Sequence, residues 1–289
     1  MLYLLRTSPR VRLLIILLCV LAPLAFGAPS LAGKSVPDEN SPALEEFRIP
    51  IPKGKYTYRF SWNGIPSAES ELFVTVENEE KQPYYCFSAS ARTSKFADLF
   101  WKMRANVTAF VDPATGRTLK MKVYDQQNKK VKTTETIFNY NSSEAYYTRW
   151  KQGEMKQKTI QLETGTVDPV SFCLSLSSQE LQVGDSRRLL VLVQDDPYEV
   201  SYTVEKREPV NVAGYQMDAL RIQPQFVKIE DKPERKPPKI KVMTLWISES
   251  EPHIPLKMQS KTFIGHVTAE LVNVEPIAPA ADSPKLSKI

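Results

Sequence analysis

Apolar and polar residues alternate one for one through most of this chain, and that period of two restricts the fold more than any other feature. Tyr56, Tyr58, Phe60 and Trp62 share one parity, and Lys55, Thr57, Arg59 and Ser61 the other. Successive side chains of a β-strand point to opposite faces, so this segment has one apolar face and one wet face. Asn63-Gly64 follows, a pair that accepts the left-handed backbone of a tight hairpin turn. Leu72, Val74 and Val76 then alternate with Glu71, Thr75 and Glu77 on a returning strand. The pattern recurs in Tyr85, Phe87, Ala89 and Ala91, and in Leu119, Met121 and Val123 after the Asp112-Pro113-Ala114-Thr115-Gly116 turn. It returns in Tyr198, Val200, Tyr202 and Val204, and in segments 240–247, 256–264 and 267–274.

About a dozen strands at hairpin spacing argue against βαβ units. The fold class is mainly β: a single curled antiparallel sheet, or an open or half β-barrel, with two short helices. Thr93 or Ser94 is placed to cap the first helix, whose Phe96, Leu99, Phe100 and Met103 fall at i, i+3, i+4 and i+7. Asp168 before Pro169 is a cap followed by a first-turn proline, opening a second helix through Phe172, Leu174 and Leu176. Neither is long enough to stand alone, so both are expected to dock on the sheet, the first across the mouth of a half-barrel. A charged, Pro-rich stretch from Lys228 to Lys239 reads as a loop.

The ends differ from the body. Arg6, Arg10 and Arg12 precede the unbroken apolar run Leu13 to Leu21, and small residues follow at Ala25, Gly27, Ala28, Ser30 and Ala32. That order is a signal peptide, with cleavage after Gly27 or Ala32 and export to the periplasm. The run before Pro23 is far short of the ~20 residues of a spanning helix, so no transmembrane anchor is expected after cleavage. Residues 1–32 hold three of the 38 basic residues and none of the 33 acidic ones, so cleavage lowers the net charge from +5 to +2. Such a small surplus is no footprint for nucleic acid. Domain boundaries follow: signal peptide 1–32, flexible linker 33–52, β-rich domain 53–275 and disordered tail 276–289.

Chemistry-bearing motifs are scarce. No Gly-x-Ser-x-Gly elbow, Ser-x-x-Lys or Gly-rich phosphate loop occurs, so neither catalysis nor a cofactor is expected. His253 and His266 have no Cys or carboxylate at ligand spacing, so no metal is expected either, and both read as polar surface. Asp195-Asp196 before Pro197 is ordinary turn chemistry. Cys86 and Cys173 are a possible disulfide, which would contribute up to ~4–5 kcal/mol in the chain-entropy picture; the alternative is two separate buried thiols. Aromatic residues are plentiful, and each by itself suits an ordinary core. Together, Tyr58, Phe60, Trp62, Phe96, Leu99, Phe100, Met103 and Trp246 are candidates to line an apolar cavity under a curled sheet.

Gly54-x-Tyr56-x-Tyr58 with Trp62-x-Gly64-Ile65, then Asp168-Pro169 opening a short helix, resembles exported bacterial proteins grouped as domain of unknown function 3108. Trp246-Ile247-Ser248, Ile254-Pro255-Leu256 and the closing strand after Gly265 extend the resemblance over nearly all of residues 53–274. The acidic residue usual in the turn after the Trp-bearing strand is displaced to Glu249 or Glu251. The resemblance implies a shape similar to the half-barrels of periplasmic lipoprotein-localisation carriers, whose helices plug a concave sheet. The expected function is a periplasmic binding or carrier protein, its partner a lipid or other apolar envelope component. The alternative is a non-enzymatic structural or interaction protein that meets an envelope protein partner.

Overall fold

The alternation is realised strand by strand in a computed structural model, which describes residues 51–79, 82–229, 243–261 and 265–276. The first half of the chain forms β1 (Gly54–Trp62), β2 (Ile65–Glu79), β3 (Gln82–Thr93), β4 (Met103–Val111), β5 (Thr118–Gln127), β6 (Lys130–Asn139), β7 (Glu144–Lys151) and β8 (Glu154–Gln161). The second half forms β9 (Ser186–Val193), β10 (Asp196–Val212), β11 (Tyr215–Lys228), β12 (Met243–Ser248), β13 (Pro255–Lys261) and β14 (His266–Pro276). Two helices interrupt the series, α1 (Lys95–Asp98) and α2 (Pro169–Ser177). Among the described residues the strands number fourteen, against about a dozen expected, and they form one antiparallel sheet. The expected signal segment, most of the linker and of the Lys228–Lys239 loop, and the tail after Pro276 lie outside the described residues. Ile51, assigned to the linker from sequence, is buried in the core, and the Pro52 carbonyl accepts a hydrogen bond from the Tyr56 hydroxyl at 2.6 Å.

Strand order follows chain order with one exception. The sheet runs β8 to β1, then β14 to β9, so the first and last strands pair in its middle. Its two edges are β8 and β9, neighbours in sequence but not in the ladder. Between them the chain makes α2 and one parallel bridge, Val167 to Val191. The Val167 amide donates to the Leu190 carbonyl at 2.9 Å, and its carbonyl accepts from Leu192 at 2.8 Å. The open seam is thereby covered on the β9 side.

In such a meander, successive connections alternate between the two ends of the sheet. The β1–β2, β3–β4, β5–β6, β7–β8 and β9–β10 connections share one end, here called the rim. The segment carrying α2 belongs to the opposite end. Asp168 caps this helix, accepting from the Val170 amide at 2.8 Å and from the Ser171 hydroxyl. Pro169 occupies the first turn, where its missing N–H is no loss. Apart from Ser175, every residue of α2 is buried, as befits a helix apolar on all sides. Ser171 Oγ accepts from the Thr118 amide at 3.0 Å, and Ser177 Oγ donates to the His253 carbonyl at 2.9 Å. Phe172 meets Tyr202 edge to face at 6.3 Å. These contacts join the helix to β5, β10 and the β12–β13 loop.

The sheet's inner face and α2 form one core, with Tyr56, Val74, Ala109, Tyr147, Leu220 and Leu256 essentially sealed from solvent. Each large apolar side chain so buried contributes about 1.5–3 kcal/mol relative to exposure. The possible disulfide is not formed. Cys86 and Cys173 are both free and buried. Cys86 has the parity opposite to Tyr85 and Phe87 and so points outward from β3, while Cys173 lies on α2 inside; the sheet stands between them. Burial pushes the Cys86 thiol up to about 12 and the Cys173 thiol well above its usual value.

Candidate ligand-binding rim

The short first helix stops where its side chains require it to. Ser94 caps it through the Ala97 amide at 3.2 Å, but regular structure ends at Asp98. Arg104 on β4 clamps that aspartate, with Nη1 to Oδ1 at 3.0 Å and Nη2 to Oδ2 at 2.5 Å. The Thr93 hydroxyl also donates to Asp98 and accepts from Arg104 at 3.0 Å. This clamp holds the carboxyl down at about 2, chiefly through the Arg104 guanidinium. It also turns the chain back into β4 before a second helical turn can form.

The expected apolar stripe therefore does not dock. Phe96, Leu99 and Phe100 are 60, 78 and 57 % exposed, and only Met103, now the first residue of β4, is buried. Phe96 and Phe100 touch each other edge to face at 5.6 Å. Beside them, the Ser94 amide donates to Ser67 of β2 at 2.9 Å, setting the α1 loop next to the β1–β2 turn. That turn carries Trp62 and Ile65, also exposed. Asn63, at φ 49°, exchanges backbone and side-chain hydrogen bonds with His266 at 3.0 and 2.9 Å, fixing the turn against the start of β14. Five large apolar side chains thus project from one sector of the rim. Surface apolar groups collected in this way mark interaction sites more often than singly scattered ones do.

The eight cavity candidates consequently occupy three places. Tyr58, Phe60 and Met103 face the interior. Trp62, Phe96, Leu99 and Phe100 stand on the rim. Trp246 is on the outer face, where its indole donates to Glu208 at 2.8 Å and Arg221 lies over its ring at 5.9 Å. It pairs with Arg221 rather than with the inward Leu220 or Ile222, so the parity of its strand takes it out of the cavity set.

Three interior features escaped the sequence reading. His253, read as surface, is buried beneath α2, with Nδ1 2.9 Å from the Ser248 carbonyl and Nε2 without a partner among the described residues. The hydroxyls of Ser70 and Ser260, on the inner faces of β2 and β13, are also buried without partners among the described residues. Finally, the inner face of β6 to β8 turns from apolar to cationic toward the rim. Lys132 faces Lys151, and Arg149 faces Lys156, each directly across a strand pair. Lysines and arginines at alternate positions beyond Tyr147 and Ile160 were legible as this pattern, had strand parity been carried from the apolar residues to the charged ones. Among the described residues, no three His, Cys, Asp or Glu side chains gather as a metal site.

Residues 57–272 match the model of a protein family of unknown function, DUF3108. The chain belongs to that family. No curated protein matches this DUF3108 chain. In fold it is similar to a barrel-like protein of the DUF1849 group from Brucella abortus, at 10 % identity and a TM-score of 0.52, over 79 % of this chain and 99 % of that one. It is also similar to a lipoprotein from Parabacteroides distasonis (9 % identity, TM-score 0.33, 80 and 98 % coverage). The lipoprotein YmcC of Escherichia coli is a further likeness (11 % identity, TM-score 0.28, 78 and 88 % coverage). At these identities the Brucella protein speaks to the fold alone, and the two weaker likenesses carry no argument.

Proposed function

We propose that this protein is an exported, non-catalytic binding or carrier protein for a lipid or other apolar component of the bacterial envelope, working in the periplasm. The observation that carries the reading is an asymmetry between the two ends of one curled sheet. One end is occupied by the buried α2, and the other presents Trp62, Ile65, Phe96, Leu99 and Phe100 to solvent. Five large apolar groups exposed together at one end of a sheet with an apolar inner face suit an occupant that is itself apolar. The Ser70 and Ser260 hydroxyls on the inner wall, unpartnered among the described residues, add polar contacts such an occupant can use. Native mass spectrometry of protein purified from periplasm is the test. A co-purifying lipid supports the carrier, and a chain that carries no adduct and takes up no neutral apolar dye counts against it.

A second reading has its own support. Nearly all of β8 is exposed on both faces, and its outer edge is unpaired by any described strand. Met155 on β8 and Trp150 beside it on β7 are exposed as well. Such an edge can accept a strand from a partner, as a structural or interaction protein of an envelope assembly would. Cross-linking to β8 that recovers an envelope protein, with no lipid bound, favours this reading.

A further inference from the structure

From the inner face of β6, β7 and β8 we infer a binding site for the phosphate group of an anionic amphiphile, an inference that rests on the carrier reading. Strand register puts Lys132, Arg149, Lys151, Lys156 and Lys158 on the same face as the buried Tyr147 and Ile160. Two cross-strand pairs on that face join like charges, Lys132 to Lys151 and Arg149 to Lys156. Like charges directly opposite each other destabilise a sheet, so an arrangement that stacks two such pairs gains from an anion between them. The acids on the same face are Asp125, opposite Lys132, and Glu154, opposite Lys151; Asp195 lies across the seam. They leave the cations in excess. On the outer face of neighbouring strands the cations are matched: Lys120 and Lys122 both reach Glu135, at 3.4 and 3.3 Å.

A second observation, independent of charge, points to the same place. The β9–β10 turn reaches across the open seam toward these strands. Lys132 Nζ donates to Gln194 Oε1 at 2.6 Å, and Lys158 Nζ lies 3.5 Å from the Asp195 carbonyl. The lysine contact orients the Gln194 amide, and its Nε2, a donor only, is buried with no acceptor among the described residues. A buried donor lacking an acceptor, beside an excess of cations, calls for an oxygen-bearing anion. Toward the opposite end this face continues into the buried Val123, Thr134, Tyr147 and Ala145, so the apolar chain attached to the anion is directed at the edge of the core. A phosphate-bearing lipid supplies both parts, and free phosphate only one.

Calorimetric titration of the intact exported protein and its Arg149→Gln/Lys156→Gln variant separates these cases, using three probes. They are dihexanoyl phosphatidylglycerol, glycerol phosphate, and the neutral dye N-phenyl-1-naphthylamine. The expected result is binding of the short-chain lipid, weakened about tenfold in the variant, with dye affinity unchanged. The melting temperature should be level or higher, because a like-charge pair has gone. Equal lipid affinity in both proteins, with dye still bound, overturns the phosphate site and leaves the carrier reading standing. Glycerol phosphate bound by the wild type and lost in the variant, with no dye uptake, keeps the anion site and overturns the carrier. If none of the three binds, both fall. A Lys156→Gln single variant, altered only on the exposed edge strand, repeats the lipid titration should the double variant fold poorly.

Discussion

Asp168 has no exposed surface, yet it is an acid. Burial pushes its carboxyl up from the ordinary aspartate range, against the opposing hydrogen bonds of Ser171, Thr118 and two backbone amides. Below about pH 4 both folded and unfolded chains hold that proton. Above it the unfolded chain releases the proton first, so this group's contribution to stability falls as pH rises, until the folded carboxyl ionises too. Asp98 behaves oppositely. Its carboxyl is held down at about 2, so its contribution is present above the ordinary aspartate value and is lost as pH falls from there through about 2. We expect Asp168→Asn, which keeps a capping oxygen, to lessen the loss of stability toward neutral pH, measured by denaturant midpoints across the pH range. Asp168→Ala should cost about 0.5–2 kcal/mol for the cap alone. If Asp168→Asn shows the same pH slope as wild type, the buried carboxyl does not titrate as argued.

The two helices look alike in sequence and behave differently as elements. Both open with a capping side chain and carry large apolar residues, but only α2 is enclosed. Phe172→Ala removes an aromatic ring packed against Tyr202 and should cost about 3–5 kcal/mol in a denaturant titration. Phe100→Ser removes a ring already 57 % exposed and should change stability by no more than about 0.5 kcal/mol. The same Phe100→Ser change should weaken uptake of a neutral apolar dye if the rim admits ligand. A large stability loss at Phe100 would show instead that the α1 loop packs in solution. Sequence could not separate the two cases, because i, i+3, i+4 spacing records which residues share a helical face and not whether the helix is long enough to have one. The Arg104–Asp98 clamp, made across the β3–β4 connection, ends α1 after four residues.

At the scale of the molecule, the ladder is interrupted between two strands adjacent in sequence rather than at the chain termini. β1 is paired on both sides, by β2 and β14, while β8 has a single partner among the described strands and little burial. Hydrogen exchange should therefore be slowest in β1 and β14 and fastest at the outward-facing amides of β8. The β9 edge should be slower than β8, since Val167 bonds to it. Fast exchange in β1 would mean that the union of the first and last strands is not the firm centre of the sheet. That union also joins residues more than two hundred positions apart. Its closure entropy makes it a late step in folding, expected as slow recovery of β1 protection in a pulse-labelled refolding experiment.

Alternation from Tyr56 to Val274 was enough to establish an antiparallel β fold with a wet face and an apolar face, because the period of a strand is written in every residue. Asn63-Gly64 and Asp168-Pro169 likewise announced a turn and a helix start, since capping and left-handed backbone are local matters of one or two residues. Local pattern does not say which strand of fourteen lies beside which, where the sheet stops, or what covers a given face. Those depend on pairings far apart in the chain, and they decided the remainder. They brought β1 to β14, set Cys86 and Cys173 on opposite sides of a sheet, turned Trp246 outward and enclosed His253. Across strand pairs they also aligned Lys132 with Lys151 and Arg149 with Lys156. An arginine and three lysines scattered over twenty-five residues become one charged surface only when strand register sets them side by side.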